Sequence, residues 1–165
     1  RQELKQIHYD RDTYALDDLI YGYIRERNLN DHEHIVLHED YDAKDSLIVI
    51  DRIQFYRVLD NLVSNSIKYR YDDFIHIDIT TAKIENACKL VFSDNGKGVP
   101  TEMLNRLFDI FFRTDEARTE VANGNGIGLA IVKQIVVDMN GIIYAEHNKN
   151  GRGLSIVMEF PCVKE

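Results

Sequence analysis

Long apolar runs, basic clusters and paired cysteines are all missing from this chain of 165 residues, and each absence removes a class of protein. Nothing approaches the ~18 uninterrupted apolar residues of a membrane span, because a Lys, Asp or Asn breaks every apolar stretch within a few positions. Arg1 to Asp12 holds neither an apolar stretch nor a small-residue cleavage site and does not have the form of a signal peptide. With 20 Lys and Arg against 28 Asp and Glu, the formal charge is −8. Without a basic run there is nothing to displace counterions from a polyanion, which argues against nucleic acid as a partner. Cys88 and Cys162 lack a C-x-x-C spacing, so the sequence gives neither a zinc site nor a disulfide framework and suits a reducing compartment, read here as the cytoplasm. What is present is 44% hydrophobic and 10% aromatic residues. A domain of this length buries about 70% of its unfolded surface, so one soluble domain without direct membrane contact is expected.

Leu16, Leu19, Ile20, Tyr23 and Ile24 have the spacing of a core-facing helix, with Asp12 or Thr13 as its cap. Ile35 to Leu37 and Leu47 to Ile50, separated by Glu39-Asp40-Tyr41-Asp42, read as a hairpin. Asp51 and Gln54 have the form of a capping box for a long helix reaching Tyr69. A second hairpin follows, from Ile75, Ile77 and Ile79 through Lys83-Ile84-Glu85-Asn86 to Lys89-Leu90-Val91-Phe92-Ser93. Thr101 is placed to cap a short helix, and from Arg113 to Asn125 the apolar pattern lapses into a polar loop. Gly128 to Met139 is again helical and stops at Asn140-Gly141, before a last hairpin over residues 142–160. Hairpins interleaved with three substantial helices predict a two-layer α/β sandwich, a mixed sheet with the helices on one face.

Three features carry chemistry. Asn61, Asn65 and Lys68 fall within roughly 60° of one another on the long helix. A solvated face is the plain alternative, but Asn weakens a helix interior, and neutral carboxamide oxygens suit a hard cation beside phosphate. Asp94-Asn95-Gly96-Lys97-Gly98 ends an apolar strand. Its glycines permit close backbone approach, and an acceptor-only carboxylate matches the amino group of adenine and opposes the carbonyl of guanine. Gly124-Asn125-Gly126-Ile127-Gly128-Leu129 leads into a helix whose free amides and dipole favour phosphate. The G-x-G-x-G spacing is not the G-x-G-x-x-G of a dinucleotide fold, and no G-x-x-x-x-G-K-[ST] is present.

In this order, the features resemble the catalytic and ATP-binding domain of sensor histidine kinases, of the GHKL superfamily with its Bergerat-type fold, from about Tyr14 to Val163. Asn61 to Tyr69 resembles the N box, with Ser66 where Ala is usual, and Asp94 to Gly98 the first glycine box. Leu107 to Arg113 resembles the F box and Gly124 to Leu129 the second glycine box. Gly151-Arg152-Gly153-Leu154 resembles the last glycine box. Leu154 stands there in place of Thr, which leaves Ser155 to supply any hydroxyl contact near adenine.

The resemblance implies roles. Asn65, assisted by Asn61, would hold magnesium; Lys68 and Arg113 would contact the terminal phosphate; Tyr69 would line the nucleotide pocket. Asp94 would hold adenine, with Gly96, Gly98, Gly124, Gly126, Ile127, Gly128 and Leu129 along the nucleotide. Lys97 to Asn123 would form an ATP lid with Phe108 and Phe111 as anchors and Arg118 as a further phosphate contact. Hydrolases of the gyrase and heat-shock chaperone kind place a general-base Glu where Asn61 stands, and an amide cannot take a proton from water.

The implied activity is transfer of the γ-phosphoryl group of Mg-ATP to a histidine on a separate dimerisation domain, at the cytoplasmic end of a membrane-bound sensor that signals to a response regulator. His8 lacks the surroundings of an H box, and residues 1–13 read as the tail of a preceding helix and linker. An ATP-responsive module without transfer and an anti-sigma-factor type serine kinase are the alternatives, though the latter generally lacks the F box. The Asp31, His32, Glu33, His34, His38, Glu39 and Asp40 group lacks zinc-like spacing and reads as solvent-facing.

Overall fold

The computed structural model describes residues 6–109, 128–149 and 151–163. Five strands form a mixed sheet in the order β2-β4-β5-β7-β6: β2 (Ile35–Asp42), β4 (Ile75–Ile84), β5 (Ala87–Asp94), β7 (Leu154–Pro161) and β6 (Ile142–His147). β2 and β4 run parallel and all other neighbours are antiparallel. Helices α1 (Leu16–Glu26), α2 (Arg52–Lys68) and α3 (Gly128–Asp138) cover one face of this sheet. Between the layers, Ile75, Ile77 and Ile79 of β4 meet Phe55, Leu59 and Ile135 of the helices, all essentially solvent-free. The alternation that the sequence shows in β4 is therefore the boundary between core and surface, since His76 and Asp78 on the other face are exposed.

The expected hairpin of residues 35–50 is only half present. Ser46 N donates to Ala43 O at 3.0 Å, across a tight turn in which Lys44 and Asp45 take φ of 55° and 62°. Beyond that turn the strands part. β2 pairs with β4, whereas β3 (Leu47–Ile50) pairs antiparallel with β1 (Asp12–Ala15) as a separate two-stranded sheet. The turn's polar groups are held by α1 and β4: Leu16 N donates to Ser46 O, Ala43 N to Asp17 Oδ2 and Asp42 N to Thr81 Oγ1. Asp12 and Thr13 do not cap α1 but lie in β1 opposite Ile50 and Val49. The helix starts after Ala15 without a side-chain cap, and Asp17 and Asp18 in its first turn complement the dipole.

Asp51 caps α2 as expected, accepting from Gln54 N at 3.0 Å, and it also accepts from Asp10 N at 2.7 Å. The entering chain is fastened at the end of α3 as well, where Tyr9 Oη donates to Asp138 at 2.5 Å and Arg11 Nη2 to the Asp138 carbonyl at 2.9 Å. α1 is tied to α2 through Asp60, which accepts from Tyr23 Oη at 2.8 Å and from Arg27 Nε and Nη2 at 3.0 and 3.1 Å. Thr101 does not cap a helix: residues Thr101–Arg106 form a short 3-10 turn that begins after Pro100. α3 ends with Asn140 at φ 63°. A side chain at Gly141 would meet the Glu159 carbonyl at 2.7 Å, so glycine is required there by space.

Candidate nucleotide site

The C-terminal half of α2 is where the separated motifs meet. Asn61, Asn65, Lys68 and Tyr69 are all half-buried, unlike the residues of a freely solvated face. No hydrogen bond to another described residue engages the Asn61 or Asn65 carboxamide. The start of α3 comes against this stripe: a Cβ on Gly128 would lie 3.5 Å from Asn61 Oδ1, an ordinary contact. Leu129 packs partly buried against the core beside it. Lys68 Nζ sits 5.9 Å from the centre of the Tyr69 ring, and Lys68 also borders a groove between α1 and α2 with Tyr23, Arg27 and Asp60. Arg113, Gly124, Gly126 and Ile127 lie outside the described residues, as do Phe111, Arg118 and the Arg113–Asn125 loop. Phe108 packs partly buried against the core.

One helical turn on, α2 reaches the end of β5. Ser66, 2% exposed, donates through its hydroxyl to Asp94 Oδ2 at 2.7 Å. The other oxygen, Asp94 Oδ1, accepts from Gly96 N at 3.0 Å and Leu154 N at 3.3 Å. Asp94 is thereby oriented from three sides, by α2, by its own loop and by β7. Each carboxylate oxygen accepts two hydrogen bonds, so Oδ1 is saturated and Oδ2 keeps one lone pair for a donor beyond Ser66.

The loop after Asp94 is fixed by backbone contacts that only glycine permits. Lys97 N donates to the Tyr69 carbonyl at 3.0 Å, and a Cβ on Gly96 would press within 2.9 Å of the same oxygen. Gly98 has φ +69°, in the left-handed region. Gly153, at φ +115°, approaches so closely that any Cβ would overlap the Asp94 carbonyl oxygen. That carbonyl accepts from Asn148 Nδ2 at 3.0 Å, while Asn95 accepts from His76 N at 2.8 Å and donates to the Phe74 carbonyl. Glycine-bearing segments from the middle and from the C-terminal part of the chain thus close around one carboxylate.

Ser155, expected to supply any hydroxyl contact near adenine, is turned away from Asp94, the residue expected to hold that base. Ser155 lies opposite Ser93 on the far face of the sheet, where the two hydroxyls bond at 2.6 Å. Leu154 takes the helix-side position beside Asp94, and the hydroxyl there comes from Ser66. Ser66 and Leu154, the two positions at which the sequence departs from the boxes it resembles, thus both touch the Asp94 carboxylate. The sequence held both signals, but their pairing needs the contact between α2 and β5. Asn148 carried no signal in the sequence beyond its place in a turn.

Residues 50–164 match the family of histidine kinase-, DNA gyrase B- and HSP90-like ATPases. The chain belongs to this family. Sensor protein kinase WalK of Staphylococcus saprophyticus is 34% identical over 140 residues, which cover 78% of this chain and 23% of WalK. WalK of Staphylococcus aureus is 36% identical over 124 residues, covering 74% of this chain and 30% of that protein. The chain spans about a quarter of the length of these curated relatives. Among solved structures, the nucleotide-free catalytic domain of the histidine kinase ThkA superposes with a TM-score of 0.74 at 26% identity, over 92% of this chain and 97% of that one. Among the described residues, no helix is long and apolar enough to cross a membrane.

Proposed function

We propose that this domain binds Mg-ATP and donates the γ-phosphoryl group to a histidine on a separate dimerisation domain, as the kinase half of a two-component receptor. The observation that carries the choice of kinase over hydrolase is Asn61. Its neutral carboxamide stands at the helix start of Gly128, where a water-activating carboxylate is needed for hydrolysis. Similarity to WalK and ThkA supports the same branch. Positioning and charge neutralisation then account for most of the catalysis, because phosphoryl transfer asks little covalent chemistry of the protein.

In this reading Asn65 and Asn61 hold magnesium, for which two neutral oxygen donors that no other described residue engages by a hydrogen bond are a chemical fit. Bound magnesium supplies charge neutralisation at the phosphates. Lys68 and Arg113 contact the terminal phosphate, Tyr69 borders the nucleotide, and the backbone of Gly96, Gly98, Gly124, Gly126, Ile127, Gly128 and Leu129 lies along it. Asp94 Oδ2 accepts from the adenine amino group with the lone pair that Ser66 leaves. Ser66→Ala removes the donor that fixes this oxygen and is expected to weaken ATP binding by roughly fivefold, about 1 kcal/mol. Calorimetric titration checks it, and unchanged affinity would remove Ser66 from the adenine contact.

The expected boundary at residue 13 shifts, because Asp12 and Thr13 belong to β1 of this domain; the stretch before them is read as a linker from a preceding helical segment, with Tyr9 and Arg11 fastened to Asp138. The response regulator, the dimerisation domain and a cytoplasmic placement beneath a membrane-bound sensor belong to the same proposal. The alternative, an ATP-responsive module without transfer, draws on the altered last glycine box; the Ser66 hydroxyl at Asp94 supports the kinase reading against it. The testing experiment incubates the domain with γ-labelled ATP, magnesium and the purified histidine-bearing domain. Label on the histidine is the expected result.

A further inference from the structure

At the end of β5 remote from Asp94, the two cysteines of the chain lie together. Cys88 Sγ and Cys162 Sγ are 3.0 Å apart, although the residues are 74 positions apart in sequence. The sheet register explains the meeting. Cys88 lies opposite Phe160, and Cys162, two residues further along, falls on the same face as its diagonal neighbour. The strand does not fray before that point: Cys162 N donates to the Asn86 carbonyl and Val163 N to the Leu47 carbonyl, both at 2.8 Å. Both thiols are free. A covalent S–S bond is about 2.05 Å long, so the sulfurs need to approach by only about 1 Å.

We propose that Cys88 and Cys162 form a redox modification site, at which hydrogen peroxide or another small peroxide converts the two thiols to a reversible intrachain disulfide. The two sulfurs have unequal access, which sets the order of steps. Cys88 is fully buried, while Cys162 is partly open to solvent. Burial, and then the neighbouring Cys162, push the Cys88 thiol up, and the open face of Cys162 makes it the first nucleophile. Its thiolate attacks one peroxide oxygen, the O–O bond breaks, and the departing hydroxide or alkoxide takes up the proton the thiol released, giving Cys162 sulfenic acid and water, or an alcohol from an organic peroxide. The Cys88 sulfur then attacks the Cys162 sulfur, the S–O bond breaks, and the departing hydroxide takes the Cys88 proton as a second water. The two thiols together give the two electrons that reduce the peroxide, and an external thiol reverses the step.

The consequence is mechanical. A disulfide here staples the last strand to β5 and closes a long loop in the unfolded chain, which raises stability. Asp94 is at the opposite end of β5, so nucleotide affinity is expected to stay within twofold.

The test treats the fully reduced chain with hydrogen peroxide, then counts thiols under denaturing conditions and maps peptides by mass spectrometry. The expected result is loss of both thiols, a mass lower by two hydrogens, a linked peptide pair containing Cys88 and Cys162, and a thermal midpoint raised by about 5–10 °C. Dithiothreitol should reverse all four. In the Cys88→Ser variant, Cys162 should instead proceed to sulfinic and sulfonic acids, and in Cys162→Ser the Cys88 thiol should stay unreacted. The proposal is overturned if wild-type Cys162 is over-oxidised while Cys88 remains a thiol, if only intermolecular dimers form, or if both thiols survive.

Discussion

Asn65→Asp is expected to abolish Mg-ATP binding in a calorimetric titration, with an affinity loss of more than 100-fold. The substitution is nearly isosteric and the position is half-buried on α2, so the fold should persist and the effect should be electrostatic. A carboxylate attracts magnesium, but the magnesium–ATP complex as a whole is a dianion. At about 5 Å and an effective dielectric near 20, each unit of net like charge costs about 3 kcal/mol. The same change removes the two amide N–H donors. Neutral oxygen at this position is what the proposal requires, and the Asn61 and Asn65 carboxamides, which no other described residue engages by a hydrogen bond, provide it. Thermal melting of the variant in the absence of nucleotide checks that the fold is intact. Binding within threefold of the wild type would remove the metal assignment.

Asp94→Asn should weaken ATP by about 100-fold and relax or reverse the preference over GTP. The hydrogen-bond arrangement dictates which way the new amide turns. Gly96 N and Leu154 N both donate to Oδ1, so the amide oxygen must stay on that side to avoid opposing two backbone donors. Its NH2 then faces Ser66 and the nucleobase. The Ser66 hydroxyl can rotate to accept, but the adenine amino group cannot, and two opposed donors cost roughly 2–3 kcal/mol. The guanine carbonyl finds a donor at the same point. Parallel titrations with ATP and GTP read the ratio directly, and an unchanged ratio would refute the adenine contact.

The parts of this fold that sequence reveals are those set by local chemistry. Leu16, Leu19, Ile20, Tyr23 and Ile24 all face the core as their spacing predicts, and the Asp51 cap forms as expected. The β4–β5 and β6–β7 hairpins are present because each joins consecutive strands through a short turn. The partner of β2 is a different matter. Its turn at Lys44-Asp45 is as tight as a hairpin needs, yet the pairing is decided by a parallel neighbour that follows α2 in the chain. β1 is equally nonlocal, since Asp12–Ala15 becomes a strand only against β3.

The same distinction governs the site. Residue types suited to cation, adenine and phosphate are legible in each motif, whereas the contact of the Ser66 hydroxyl and the Leu154 amide with one carboxylate exists only once α2 and β7 flank Asp94. The sulfur pair is hidden for the same reason. Two cysteines without motif spacing become neighbours through the register of β5 and β7.

The central claim is phosphoryl transfer, and it is tested most directly by mixing this domain with γ-labelled ATP, magnesium and the histidine-bearing dimerisation domain of its own protein. The account predicts acid-labile, base-stable label on that domain's histidine, lost when Asn65 is replaced by Asp. Release of labelled inorganic phosphate with none on the histidine, or no consumption of ATP at all, would contradict it.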